Sequence, residues 1–299
     1  MRTSIAASQG MQQSINDDIA ERIRLHQDRV ARLKAVEARL RTAASPPATP
    51  LVMLAHGDSW FDYPLDGNTI ALSDTDLIAQ LRTMGNINPL ILNMAHHGDA
   101  TTNELSWPKQ QRMIDALNDP TNWLSSGYPD AILFSGGGND IAGDQFCIYL
   151  DYASTGGTGL NAARFQEALG AIEASYRDLF SFRKKYAPNI PIFGHCYDFG
   201  IPNGSHPLCT GPWLKPSLEF AGYRDLQQNR KIVRDALVQF KTRLQGLAAD
   251  PDNKFFLVDT QGTLTDDEWG NELHPNARGF KQIAQKIVED LRTHFSGRI

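Results

Sequence analysis

The hydrophobic pattern of the chain begins with one long amphipathic segment. Between residues 14 and 41, apolar side chains recur at steps of three and four on a highly charged background, which is the spacing of one helical face. Ser14, with Asp17 three residues later, predicts the start of this helix, because both can hydrogen-bond to free amides of a first turn. The helix either lies on the domain that follows or forms a coiled-coil arm for self-association.

After this segment the pattern changes to short apolar runs separated by longer helical stretches. Five runs have the length and the branched or aromatic content of buried parallel strands, at residues 51–55, 90–95, 131–135, 190–194 and 255–259. Helices are predicted between and after them, at residues 76–84, 109–117, 161–186, 224–247 and 276–294. This alternation predicts an α/β domain with a parallel sheet, whose site lies at the carboxyl ends of the strands.

Three parts of the chain are therefore expected. Residues 1–44 form the N-terminal amphipathic helix, and residues 45–50 form a proline-rich linker. Residues 51–299 form the α/β domain, in which a proline-containing loop at about residues 197–222 is long enough to shape a pocket.

Composition and charge exclude several classes of partner. The chain has 299 residues and a formal net charge of −5, so it has no diffuse basic field to hold nucleic acid or an anionic membrane. No stretch is long and apolar enough for a transmembrane helix, and no Sec-type signal is visible at the start, so we expect a cytoplasmic protein.

Three cysteines are too few for a disulfide scaffold, although Cys196 and Cys209 could pair with each other.

Residues with catalytic chemistry follow four of the predicted strands. Ser59, Gly98 and Asn139 come after the first three strands, and His274 comes after the fifth. A serine nucleophile needs a base within hydrogen-bonding reach, and the oxyanion that it generates needs several donors aimed at one point. We predict Ser59 as the nucleophile and His274 as the base. The donors would be the backbone amides of Ser59 and Gly98 and the side-chain amide of Asn139.

Four blocks in this order resemble the SGNH (GDSL-type) hydrolase family. They are Gly57-Asp58-Ser59, Gly98, Gly137-Gly138-Asn139-Asp140 and His274-Pro275. The resemblance runs from residue 51 to the C-terminus and implies a three-layer α/β/α flavodoxin-like fold. It also implies hydrolysis of an ester or thioester through an acyl-enzyme, or acyl transfer to another acceptor, with neither metal nor cofactor. Because every block follows the linker, the sequence predicts that the N-terminal helix is not needed for this chemistry.

One position departs from the pattern of that family. The residue three positions before the histidine is usually Asp, but here it is Asn271, which can accept a hydrogen bond from the imidazole without stabilising its charged form. Asp267, or its neighbours Asp266 and Glu268, could instead supply the carboxylate, or a backbone carbonyl could orient His274. Glu272 is the poorest candidate for this role, because its reach to the imidazole is short.

The substrate and two rival functions stay open at this stage. Trp60 and Trp213 could line an apolar pocket for a small-molecule, lipid or glycan ester, or could close the core under a loop. The first rival is an inactive binding or assembly protein of the same fold, with the N-terminal helix forming a homo-oligomer. The second is a metallophosphoesterase that uses residues such as His56, Asp58 and His195, although the order of its expected metal ligands does not match.

Overall fold

The computed structural model describes residues 2–40, 48–63, 76–124, 126–206 and 211–299, with the backbone alone given for residues 2–9, 11 and 40. Residues 45–47 of the expected linker lie outside the described residues. Cys209 also lies outside them, and with it the considered pairing to Cys196.

Five parallel strands form one sheet in the order β2-β1-β3-β4-β5. They are β1 (Val52–Gly57), β2 (Leu90–Asn93), β3 (Ala131–Ser135), β4 (Ile192–His195) and β5 (Phe255–Val258). Each strand overlaps one of the five predicted runs, and β1 and β3 are buried along their full length. The order 2-1-3-4-5 is the flavodoxin-like order that the resemblance implied.

Helices cover both faces of the sheet, so the three-layer α/β/α prediction is confirmed. They are α1 (Arg2–Leu40), α2 (Leu77–Leu81), α3 (Thr101–Glu104), α4 (Trp107–Asn118), α5 (Gly138–Ile141), α6 (Ala162–Tyr186), α7 (Lys215–Phe220), α8 (Leu226–Ala248) and α9 (Ala277–His294). Helix α2 packs against α9, and α6 packs against α8. Right-handed crossovers place these two pairs on opposite faces of this strand order. No helix among the described residues is long and apolar enough to cross a membrane.

The N-terminal helix α1 packs along the edge strand β2 and the turn at residues 120–122. Ile19, His26 and Val30 are buried on its inner face. His26 Nε2 lies 2.8 Å from Asn122 O, and burial lowers the pKa of His26 to about 4, so the ring is neutral where it packs. Of the two predicted arrangements, the structure shows the helix laid on the domain. It begins at Arg2, well before the predicted start at Ser14, and no proline interrupts residues 2–13.

Candidate active site

The nucleophile candidate sits in a tight turn at the carboxyl end of β1. Gly57 has a φ of +148°, and a Cβ at this position would lie 2.2 Å from Ser135 O on β3. Only glycine allows such a close approach of two strand ends in this conformation. Asp58 N then donates to Ser135 O at 3.0 Å, which fixes the start of the turn that carries Ser59.

Ser59 and His274, which the sequence places 215 positions apart, are in hydrogen-bonding contact. Ser59 Oγ lies 2.7 Å from His274 Nε2, and both side chains are buried. His274 Nδ1 lies 3.1 Å from Asn271 Oδ1, which also accepts the backbone amides of Leu273 and His274. Because Oδ1 accepts these two amides, it is an acceptor for the ring as well, so Nδ1 carries the proton. The lone pair on Nε2 therefore faces the Ser59 hydroxyl.

The imidazole of His274 is held in its neutral form. Burial, and to a smaller extent the neighbouring His97, lowers the pKa of His274 to about 3. A neutral imidazole can accept a proton, but no charged partner at Asn271 stabilises the imidazolium that results. The site therefore has a dyad-like geometry with an amide in the third position.

The acidic residues considered as alternatives to Asn271 have other partners. Asp267 is exposed and pairs with Arg278, and Asp266 pairs with Arg230 at 2.5 Å. Glu268 accepts the amide and the hydroxyl of Thr265 in a capping box. The structure thus brings Asn271, rather than Asp267, to Nδ1 of His274.

The buried carboxyl group of Asp58 stabilises the turn that carries Ser59. Asp58 accepts hydrogen bonds from Tyr197 Oη at 2.5 Å, Ser135 Oγ at 2.7 Å and the amide of Trp60 at 3.0 Å. Burial raises the pKa of Asp58 to about 6 in spite of these donors. The hydroxyl of Tyr197 also accepts a hydrogen bond from the amide of Gly138 at 3.0 Å. The Tyr197 side chain therefore links the turn that carries Ser59 to the segment that carries Asn139.

Asn139 is fixed to the neighbouring loop by a backbone contact. Its Nδ2 donates to Asp99 O at 2.8 Å, and the carboxylate of Asp140 accepts both the amide and the hydroxyl of Thr101. An asparagine NH2 group has two N–H donors, and the bond to Asp99 uses one of them. Asn139 lines the same cleft as Ser59 and His274. Gly98, next to Asp99, has a φ of +81°, a conformation that suits glycine.

The cleft beside Ser59 opens to solvent. Its lining includes the apolar side chains of Ile141, Ala142, Phe146, Leu214, Val233, Ala236, Leu237 and Leu273. Both predicted tryptophans lie at the site. Trp60 lines the cleft while stacking on His195 at a centroid distance of 5.0 Å, and the Trp213 ring meets His274 edge-on at 5.6 Å. Trp60 is also almost fully buried, so it closes the core as well.

Glu272, which the sequence marks only as a poor candidate to orient His274, anchors the long loop instead. Glu272 is fully buried, and its carboxylate accepts the backbone amides of Gly204, Trp213, Leu214 and Lys215 at 2.7–3.1 Å. These contacts hold the loop that places Trp213 against the imidazole. An acid two positions before His274 is the one signal for this role in the sequence, and it does not reveal which segment the acid binds.

Glu104 is a second buried acid near the site that could not be recognised from the sequence. Glu104, in α3, is fully buried, and neither of its carboxyl oxygens has a hydrogen-bond partner among the described residues. Burial, with the nearby Asp58 adding to it, raises the pKa of Glu104 well above its usual value and so favours the neutral carboxyl group. A Cβ on Gly136 would lie 2.3 Å from its Oε2, so glycine at 136 makes room for this carboxyl.

The side chains considered for a two-metal site do not converge. His56 contacts the backbone carbonyls of Met94 and Glu104, and His195 Nε2 lies 2.9 Å from Ser135 Oγ. Within the part of the chain that the structure describes, no group of three or more His, Cys, Asp and Glu side chains is arranged to hold a metal ion.

Comparison with known proteins agrees with the blocks found in the sequence. The model of the GDSL-like lipase/acylhydrolase family matches residues 55–282. A lipase from a goat rumen metagenome has a similar structure, with a TM-score of 0.53 and 17% identity over 80% of this chain and 96% of that chain. An extracellular lipase from Streptomyces rimosus gives a TM-score of 0.50 and 17% identity over 81% of this chain and 99% of that chain. At such identity the structural likeness shows the fold alone. No curated protein matches the chain.

Proposed function

The chain belongs to the GDSL-like lipase/acylhydrolase family, a family of ester hydrolases, and from this premise we propose that it cleaves carboxylic esters through an acyl-enzyme on Ser59. The observation that carries the proposal is the 2.7 Å contact between Ser59 Oγ and His274 Nε2 at the end of an apolar cleft. A nucleophile and a base in contact, with the base held in one tautomer, are the arrangement that acyl transfer requires.

In the proposed reaction, Ser59 Oγ attacks the ester carbonyl carbon while its proton passes to His274 Nε2. The resulting oxyanion accepts hydrogen bonds from the amides of Ser59 and Gly98 and from Asn139 Nδ2. The imidazolium then gives its proton to the departing alcohol as the C–O bond breaks, leaving the acyl group on Ser59. Water, deprotonated by His274, attacks the acyl-enzyme and releases the acid and the free serine.

For the substrate, we propose an ester with an uncharged, apolar acyl group. Most of the side chains that line the cleft beside Ser59 are aliphatic or aromatic, although Asp58, Asn139 and Asp198 also line it. No lysine or arginine lines it among the described residues. Each methylene buried in such a cleft contributes about 0.8 kcal/mol, or roughly a fourfold gain in kcat/KM.

The proposed function is tested with a series of p-nitrophenyl esters from acetate to laurate. We expect kcat/KM to rise with chain length until the cleft is filled and then to fall. Ala142→Leu narrows the cleft and should penalise the longer esters more than acetate. If no ester is hydrolysed and a serine-reactive phosphonate does not label Ser59, the inactive binding protein becomes the better description.

Restoring an acid beside the base is expected to change the pH profile. Asn271→Asp can keep the three contacts of Oδ1, and the hydroxyl of Tyr63, which now accepts from Asn271 Nδ2, can rotate to donate to the new carboxylate. The new charge raises the pKa of His274, because it favours the imidazolium. The acidic limb of kcat/KM should therefore move to higher pH by about one pH unit or more, while kcat on the alkaline side stays equal or increases.

Asn276→Asp is the matched control for this variant. It adds the same charge two residues after His274, where the Asn276 side chain caps α9 by accepting the amide of Gly279. We expect its pH profile to coincide with that of the unmodified protein. An unshifted profile for Asn271→Asp would show that another group already supplies the charge at Nδ1.

The division of the chain into the helix of residues 1–44, the linker of residues 45–50 and the domain of residues 51–299 stays a proposal. All four blocks lie in the last part. The contacts of α1, however, reach the loops that carry two of these blocks.

A further inference from the structure

One side chain of the N-terminal helix reaches the loops at the ends of two strands. Arg22 Nη2 lies 2.7 Å from Asp62 Oδ1, and Arg22 Nη1 donates to Ala95 O at 3.2 Å. The Arg22 side chain is 21% exposed and that of Asp62 only 6%, so water screens this ion pair less than a surface pair. The planar guanidinium, with its fixed fork of donors, can serve both acceptors at once.

Both acceptors belong to segments that carry groups of the proposed reaction. The amide of Asp62 donates to Asp58 O at 3.1 Å, so Asp62 closes the turn that contains Ser59. Ala95 lies three residues before Gly98 in the loop that follows β2. Arg22 therefore links the turn that carries Ser59 to the loop that carries Gly98.

The other oxygen of Asp62 extends this connection toward the base. Asp62 Oδ2 lies 3.5 Å from His97 Nδ1, and His97 is close enough to His274 to contribute to its lowered pKa. Burial alone raises the pKa of Asp62, but the hydrogen bond to His97 and the charge of Arg22 outweigh it, so the pKa lies below its usual value. Asp62 is thus ionised at neutral pH and can bind both partners.

We propose that Arg22 is a positioning residue of the active site, which holds the Ser59 turn and the Gly98 loop at the spacing that acyl transfer needs. This inference rests on the proposed ester hydrolysis. Arg22 lies before residues 55–282, which the family model matches, so the contact is supplied by a helix outside that region. Displacing a reacting group by about 1 Å can cost about 100-fold in rate, so loosening two loops has a measurable effect on kcat.

The test compares two arginines of the same helix. Arg22→Gln should lower kcat for a p-nitrophenyl ester by about tenfold with KM nearly unchanged. The variant disturbs the positions of the Ser59 turn and the Gly98 loop, but it removes no contact with the substrate. The matched control is Arg24→Gln, since Arg24 is exposed and pairs with Glu21 and Asp28 on α1 itself. We expect the control to match the unmodified protein in both kcat and KM.

Two further variants keep the test decisive if Arg22→Gln folds poorly. Arg22→Lys retains the charge but lacks the fork, so its kcat should lie between those of Arg22→Gln and the unmodified protein. Asp62→Asn weakens the same contact but leaves the sequence of α1 unchanged. The double variant, with both Asp62→Asn and Arg22→Gln, should have the same kcat as the single variants. The rate at which a phosphonate labels Ser59 should fall in parallel with kcat, whereas a loss of stability alone would lower the active fraction and leave that rate unchanged.

The outcomes separate this inference from the proposed function. Equal kcat values for Arg22→Gln and Arg24→Gln, or additive losses in the Arg22 and Asp62 variants, would overturn the positioning role while ester hydrolysis at Ser59 stands. Full activity in a Ser59 variant would overturn the proposed function itself, whatever the Arg22 variants do.

Discussion

Ser59→Ala is expected to abolish ester turnover, lowering kcat by roughly 10⁴-fold or more. The hydroxyl lies 2.7 Å from His274 Nε2, and removing it leaves the base with no nucleophile to activate. The cost to folding is small, because one hydrogen bond contributes only about 0.5–1.5 kcal/mol to stability. The melting temperature should therefore change by only a few degrees while activity disappears.

Steady-state hydrolysis and phosphonate labelling, measured on the same preparations, check this result. Ser175→Ala is the control, because its hydroxyl bonds Ala171 O within α6 and lies outside the cleft. It should keep full activity and full labelling. If Ser59→Ala retains more than about a tenth of the activity, Ser59 is not the nucleophile.

The strands and the contact between Ser59 and His274 could be predicted because both follow from local pattern and topology. Apolar runs such as residues 131–135 are typical of strands buried on both faces, and the carboxyl ends of parallel strands meet at one edge. Residues after β1 and β5 are therefore brought together even when 215 positions separate them, as for Ser59 and His274. The end of β1 was predicted two residues early, because His56 and Gly57 pair with β3 but are not part of an apolar run.

The supporting contacts could not be predicted, because they depend on tertiary packing that leaves no periodic signal. Arg22 meets Asp62 across 40 positions, and Tyr197 meets Asp58 across 139. On the helical pattern alone, Arg22 is one of several charged residues of an amphipathic helix. The burial of Glu104 could not be predicted either, since an acid in a short polar helix is usually exposed. Here it is enclosed, with no hydrogen-bond partner in the part of the chain that the structure describes.

Asn139→Ala is expected to lower kcat by roughly 10²- to 10³-fold with KM nearly unchanged. An oxyanion-hole donor contributes about 2.7–4 kcal/mol to the transition state and little to the ground state, so its loss falls on kcat. Asn139 suits the role because its bond to Asp99 O fixes the amide and because it lines the cleft with Ser59 and His274. Hydrolysis of one p-nitrophenyl ester over a range of concentrations separates kcat from KM.

Asn139→Asp distinguishes electrostatic stabilisation from packing. The two side chains have nearly the same shape, but an ionised carboxylate has no donor and places a negative charge beside the oxyanion. Its kcat should therefore be no higher than that of Asn139→Ala, whereas a role in packing alone would make Asn139→Asp the milder change. An effect confined to KM in both variants would show that Asn139 binds the substrate in its ground state. The oxyanion would then be stabilised by the amides of Ser59 and Gly98 alone.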